Sequence, residues 1–356
     1  MKKIIGVVSL LLGFGAGASY AQADESFREQ QNYRLDGVSR LSFDVDHTDI
    51  IFVKRGDKQL NLNLTQRLVR GDEERCIAKL EGTRAGEALS ISVQWPLEMR
   101  HGHCQVKRKL EVALDEITLK HLDVSFRHGD LEMGTVGVPD TFIKGAHGDI
   151  RLDSLNSDNL ELIAKHGNVK IAQINSQELK LRGSHGDLSI GDLEAKRVEG
   201  RWSHGNTKFK EVSASKMGLK QAHGAMRIDG YIGDEISLEN AHGLIRAANS
   251  QAETVDLVNR HGATYFEGRV SEIMANSAHG HVELVQQNQN FVRIQGRVDH
   301  ADVRVAVPKH SVCSYKLSHS GNVNEAILKD RSACANGVAA EIQLNGSHTE
   351  HSIQVI

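Results

Sequence analysis

The dipeptide His-Gly returns eight times at a spacing of nineteen residues, at His128, His147, His166, His185, His204, His223, His242 and His261. Eight matches to one period exclude compositional accident, and a period this short constrains the architecture before any other feature does. Counting each His as position zero, apolar residues recur at offsets 3, 5, 8, 13 and 15. One copy reads Ile150, Leu152, Leu155, Leu160 and Leu162, and the next Val169, Ile171, Ile174, Leu179 and Leu181. Offsets 3 and 5, and again 13 and 15, alternate with polar residues, as half-buried strands do. Each repeat therefore carries two short strands.

Helical repeats need units of about 33 residues or more, and the leucine-rich and calcium-binding nonapeptide signatures are absent. What remains is an all-β chain, a parallel β-solenoid (β-helix) of about a dozen rungs, one per repeat. The apolar register extends backwards through Val112, Leu114, Ile117, Leu122 and Val124, and forwards to Ile342 and Leu344. The His series continues with small slips through His279, His300 and His319. Solenoid ends must be covered, because exposed end strands pair with other chains. Four segments follow: 1–23, a signal peptide; 24–108, a polar leader and N-terminal β-rich cap; 109–319, the repeats; and 320–356, a C-terminal cap.

The first segment, two lysines, an apolar run and Ala21-Gln22-Ala23, has the form of a secretory leader. We therefore expect an exported protein, periplasmic in the first instance, with the cell surface or secretion as alternatives. No later run approaches the 18 or so apolar residues of a membrane span. Cys76, Cys104, Cys313 and Cys334 form two local pairs. In an exported chain an even number favours disulfides, expected here as Cys76–Cys104 and Cys313–Cys334 among three permitted pairings. Lys and Arg number 43 against 46 Asp and Glu. Without residues 1–23, which hold Lys2 and Lys3 and no acid, the balance is 41 − 46 = −5. That gives no electrostatic reason to expect nucleic acid or an anionic membrane as partner. An envelope protein or polymer of unknown identity is the partner expected.

The turns HGDLEM, HGDIRL, HGNVKI, HGDLSI and HGNTKF resemble the rungs of the bacterial putative-adhesin domain family. In that family a small polar residue, Gly and an Asp-like residue precede an alternating apolar pair. The resemblance covers most of residues 38 to 356. It implies an exported solenoid at the envelope or surface and supplies no catalytic residues, the activity of the family being largely undefined. This chain departs from it by placing His where Ser or Thr is usual.

Identical residues at one offset stack into a ladder, and the adjacent Gly signals a sharp corner. Whether the imidazoles face outward or fill the corner is left open by the pattern. A packed stack, its rings hydrogen-bonded to one another or to carbonyls, would be architectural. Exposed rings would be candidate ligands for Zn²⁺, Cu²⁺ or Ni²⁺. The candidate metal ligands are then the eight histidines from His128 to His261, with Asp130, Asp149 and Asp187 completing or orienting sites. The pairs His101/His103, His279/His281 and His348/His351 are weaker candidates. No other cofactor is expected. Closely spaced imidazoles would also repel when protonated, so acid should loosen the ladder.

The function expected is that of a non-enzymatic binding or scaffold protein of the cell envelope. A purely structural, adhesin-like solenoid with a packed ladder is one alternative, and a polysaccharide-acting β-helix enzyme another. Lyases and hydrolases need a localised acid/base pair in a cleft, and a uniform ladder is the opposite. Aromatics make up only 4% of the chain, with Trp95 and Trp202 the tryptophans, so sugar-stacking platforms are scarce.

Overall fold

A computed structural model describes residues 25–54, 59–94, 104–114, 119–319, 321–335 and 340–356. The expected signal peptide, the pair His101/His103, Trp95 and Ile117 lie outside the described residues. The chain is a parallel β-solenoid of about 10 turns at about 19 residues per turn. None of the described helices is long and apolar enough to cross a membrane. The chain forms two compact units, which meet in sequence at Arg151 and Leu152.

In the first unit the turns do not follow chain order. Arg40–Asp46 pairs in parallel with Ala88–Gln94 on one side and His121–Arg127 on the other. Asp49–Lys54 likewise pairs with Gln105–Leu114 and with Leu131–Gly137. Residues 40–54 thus form a turn slotted between those of 88–114 and 121–137. The outer edge of the 88–114 turn is covered by antiparallel strands: Gln59–Arg70 lies on Gln105–Leu114, and Lys79–Ala85 on Ala88–Gln94. Glu25–Arg34 covers Gln59–Arg70 in turn. Antiparallel pairing removes the open edge that a parallel stack would present to other chains. The Cys76–Cys104 disulfide joins the short helix Glu73–Cys76 to the start of Gln105–Leu114. Between these elements the buried Arg108 donates to the Cys76 carbonyl at 2.7 Å and to Gln66 Oε1 at 3.0 Å, and burial lowers its pKa to about 10.

In the second unit the register is the one the period predicts. Val169–His185 pairs with Leu188–His204, and that with Thr207–His223, each residue opposite the one nineteen further on. Columns of buried side chains result, such as Ile171, Ile190, Phe209, Ile228, Ala247 and Phe266. Each large member contributes about 1.5–3 kcal/mol by leaving water. The slip after His261 has a local origin. The register between Ile245–His261 and Thr264–His279 shifts at Ala247/Ser250, where Asn249 adopts φ 52°, and His261 then faces His279, eighteen residues on. A short polar side chain tolerates the left-handed region better than most.

The far end repeats the out-of-order arrangement. Glu341–Asn345 lies between Arg293–Val298 and Ser314–Leu317, and His351–Val355 between Val303–Val307 and Gly321–Val323. The chain's last segment is therefore an inner turn, and residues 314–323 form the outer one, tied by the Cys313–Cys334 disulfide. Both disulfides are those the local pairing predicted.

A solvent-facing histidine ladder and its candidate metal centre

Three columns of residues build the corner. The corner glycine supplies the conformation: from Gly167 to Gly280 its φ lies between 107° and 136°, a region closed to other residues at reasonable cost. Two residues after His128, His166, His185 and His204, an Asp or Asn side chain accepts the backbone N–H of its counterpart in the next turn. In the first unit Asp149 N–H donates to Asp130 Oδ1 at 2.8 Å. In the second, Asp187 donates to Asn168, Asn206 to Asp187 and Ala225 to Asn206, at 2.8–3.1 Å. Two residues before His204, His223, His242 and His261, a buried side chain donates inward to the corner carbonyl of the preceding turn. Trp202 Nε1 reaches Gly186 O at 2.7 Å, Gln221 Nε2 reaches Gly205 O at 2.8 Å, Asn240 Nδ2 reaches Gly224 O at 2.9 Å and Asn259 Nδ2 reaches Gly243 O at 3.0 Å. This inner column escaped the sequence reading because three residue types share one offset over four turns. The shared property is an N–H donor, which identity matching does not see.

The histidines themselves stand on the outside, all eight exposed. From His166 to His279 successive rings are 4.7–5.0 Å apart with planes within 18°. Imidazole N–H groups lie in the ring plane, so face-to-face rings cannot hydrogen-bond one another. Indeed the rings of His185, His204, His223, His242, His261 and His279 make no hydrogen bond with the described residues. The packed-ladder alternative is thereby corrected: outer Asp/Asn and inner Trp/Gln/Asn columns satisfy the corner backbone, leaving the imidazoles to solvent. Of the candidate carboxylates, Asp130, Asp149 and Asp187 are each engaged with a backbone amide or Arg151. Arg151 reaches Asp149 at 2.8 Å and Asp130 at 3.6 Å, and Asp187 accepts from Asn206 N–H at 2.8 Å.

Membership of the ladder differs at both ends from the chain-order expectation. In the second unit His300 is followed by His348, 4.8 Å away, and not by His319, because residues 341–355 are slotted in. In the first unit His47 precedes His128, with ring centroids 4.2 Å apart, and His147 follows at 4.8 Å. His47, His128, His300 and His348 themselves carry φ of 50–54°, so at these turns the imidazole residue takes the left-handed corner conformation. Both slotted ends share a sequence signal, V-D-H-x-D at Val45–Asp49 and again at Val298–Asp302. Among the described residues, Asp46, His47 and His128 are the one set of three His, Cys, Asp or Glu whose donor atoms all lie within 4.8 Å of one another.

Protonation is perturbed at two of the ladder histidines. The His242 pKa is lowered by desolvation and by the charges that His261, His223 and Arg260 would place beside it. Desolvation also lowers that of His47, with Asp46 opposing and His128, Arg108 and Arg127 adding to the effect. A depressed imidazole binds fewer protons folded than unfolded, so its contribution to stability is intact above the unfolded pKa of about 6.5 and is lost as pH falls below it. We expect the melting temperature to drop between pH 7.5 and 5.5, by less in a His204→Ser/His223→Ser/His242→Ser variant. A pH-independent melt would show that the rings do not repel. The carboxyls of Asp123 and Asp256, raised chiefly by burial, act in the opposite sense.

The fold and this site define a class, a parallel β-solenoid carrying a solvent-facing histidine ladder. Residues 38–220 match the family described as Toastrack DUF4097, and the chain belongs to that family. The HGDLEM-type turns led to the same expectation. No curated protein matches the sequence. Similar solved structures include a putative cell adhesion protein from Clostridium sporogenes, 9% identical, covering 93% of this chain and 100% of that one at a TM-score of 0.22. A putative lipid binding protein from Parabacteroides distasonis is 12% identical, covering 91% and 96% at 0.29. A putative adhesin from the same organism is 11% identical, covering 93% and 98% at 0.30. At such scores the likeness carries no argument about what this chain binds.

Proposed function

We propose that this protein is an exported, non-enzymatic binding or scaffold protein of the cell envelope, most simply periplasmic, whose histidine ladder captures divalent transition metals. One observation carries the reading: six consecutive imidazoles, His185 to His279, face solvent with no hydrogen bond to any described residue. Their neutral nitrogens are donors for Zn²⁺, Cu²⁺ or Ni²⁺. Two donors on one ion can be at most about 4.2 Å apart. Equivalent nitrogens of parallel rings lie as far apart as the rings, 4.7–5.0 Å, so neighbouring rings must tilt together to share an ion. Exposed rings are free to do so, water completing the shell. The repetition of one imidazole at every one of these turns also favours binding over catalysis, which needs a localised acid/base pair. The paired disulfides and the leader-like first segment support export.

The test is a thermal melt of residues 24–356 with disulfides intact, at pH 7.5 in chelator and then with each ion. Selective binding to the folded state raises the melting temperature. We expect a rise of several degrees with Zn²⁺, Cu²⁺ or Ni²⁺ that His204→Ser/His223→Ser/His242→Ser reduces. No rise with any of the three would sink the reading.

A further inference from the structure

Where the ladder begins, an acid joins it. Asp46 Oδ1 lies 3.2 Å from His128 Nδ1 and 3.7 Å from His47 Nε2. A tetrahedral ion with bonds near 2.05 Å sets its donors about 3.3 Å apart, so both contacts already approximate edges of such a polyhedron. Nothing comparable holds in the run from His166 to His279, where like nitrogens stand 4.7–5.0 Å apart and rings must move before any ion is shared.

Three further features converge here. The His47 and His128 rings are the most closely stacked pair, at 4.2 Å. Both residues hold left-handed backbone conformations, at φ 50° and 54°. Strain of that kind persists where surroundings over-determine it and concentrates at ligand sites. The carboxylate is also oriented: Arg127 Nη2 approaches Asp46 Oδ2 at 3.7 Å, on the oxygen that does not face the imidazoles. The site is nonetheless open, with the His47 and His128 side chains 49% and 46% exposed, which leaves room for water or a partner's donor.

From this geometry we infer that Asp46, His47 and His128 form a discrete His₂Asp centre for a divalent transition ion, preorganised and tighter than any site along the rest of the ladder. The inference refines the metal-binding reading given above, and it rests on that reading only for the class of ion. Two nitrogens and one carboxylate oxygen with open positions suit Zn²⁺ in the three-ligand arrangement that retains water. Arg127 and the Arg108 guanidinium place positive charge near the ion and moderate its affinity. The related V-D-H-x-D corner supplies an internal control. There the Asp299 carboxylate is occupied, accepting from Ser347 N–H and Oγ at 2.9 Å each. His300 and His348 stack without a carboxylate oxygen aimed at both.

Titration of the full mature chain with Zn²⁺ by calorimetry at pH 7.5, starting from chelator-treated protein, should resolve one tight site ahead of a weaker phase. Asp46→Asn and His47→Ser should each weaken the tight site at least about tenfold and leave the weaker phase in place. Asp299→Asn should leave the tight site unaltered, as should His223→Ser. Co²⁺ supplies a second readout, a visible absorption band of a tetrahedral site that disappears in Asp46→Asn. Far-UV circular dichroism and the melt in chelator confirm that each variant is folded. If Zn²⁺ binds and His204→Ser/His223→Ser/His242→Ser weakens it while Asp46→Asn does not, the His₂Asp centre is overturned and the ladder reading stands. If Asp46→Asn removes all binding and the ladder variant none, the centre stands and the ladder reading fails. Absence of any binding overturns both.

Discussion

Gly186→Ala destabilises the protein by more than about 3 kcal/mol, a loss out of proportion to one methyl group. Two terms add. The residue sits at φ 107°, where an L side chain is strained by about 1–3 kcal/mol. A Cβ built there would also stand 2.0 Å from the Gly167 carbonyl oxygen and 2.6 Å from its carbon. Those atoms are backbone in the preceding turn, and they cannot swing aside as a flexible side chain would. Relief requires the corner to move, and with it the Trp202 Nε1 bond to Gly186 O. Gly218→Ala is the matched control, because its Cβ would meet nothing within 4 Å and its φ is not positive. There a neutral change, or a gain of about 0.4–1 kcal/mol from a stiffer unfolded chain, is expected. Urea unfolding followed by tryptophan fluorescence reads both, Trp202 being adjacent to the corner. Equal midpoints for the two variants would mean that the corners are looser than the geometry shows.

The same corner marks how far the sequence could be read. The period, strand alternation, corner glycines and disulfide pairs were legible because each is a repeated local rule: position 3 or 5 after His always faces inward, whatever apolar residue fills it. Chain order was the misleading step. His47 and His348 belong to the ladder, yet they reach it through segments slotted between turns distant in sequence. Constant spacing from a neighbour is therefore lost, and His319 was expected in the place His348 holds. The surviving trace, V-D-H-x-D at two places 253 residues apart (298 − 45), is legible only once the two corners are known to be related. The proposed metal centre escaped for that reason. Asp130, Asp149 and Asp187 look like ligands because they follow His at a fixed offset. Oxygens of these three serve backbone amides or Arg151, and the carboxylate that meets two ladder imidazoles, Asp46, comes from 82 residues before His128.

Replacing Asn240 and Asn259 together by Leu costs several times more stability than replacing His242 and His261 together by Ser. Asn240 is fully buried, and its amide donates to Gly224 O at 2.9 Å. The Asn259 amide sits among the carbonyls of Gly243, Gly262 and Ala263 at 3.0–3.1 Å. Leucine keeps the approximate volume but leaves the Gly224 and Gly243 carbonyls desolvated and without that donor, at about 1–3 kcal/mol each. The pair should lose about 2–6 kcal/mol, the spread reflecting coupling between adjacent turns. His242 and His261 offer ring stacking 4.8 Å apart in contact with solvent, and surface substitutions of this kind usually stay within about 0.5 kcal/mol. Below pH 6.5 the His pair variant should even gain on the parent, since it removes two imidazoles, one of them His242, whose pKa is lowered by desolvation and by the charges of its neighbours. Urea midpoints at pH 7.5 and 5.5 decide the matter. If the two pairs cost the same at pH 7.5, the imidazoles are architectural and the ladder reading loses its premise. If only the asparagines matter, the turns stand on their amide columns, and a solvent-facing row of histidines that the fold does not need for its own stability is available for a ligand.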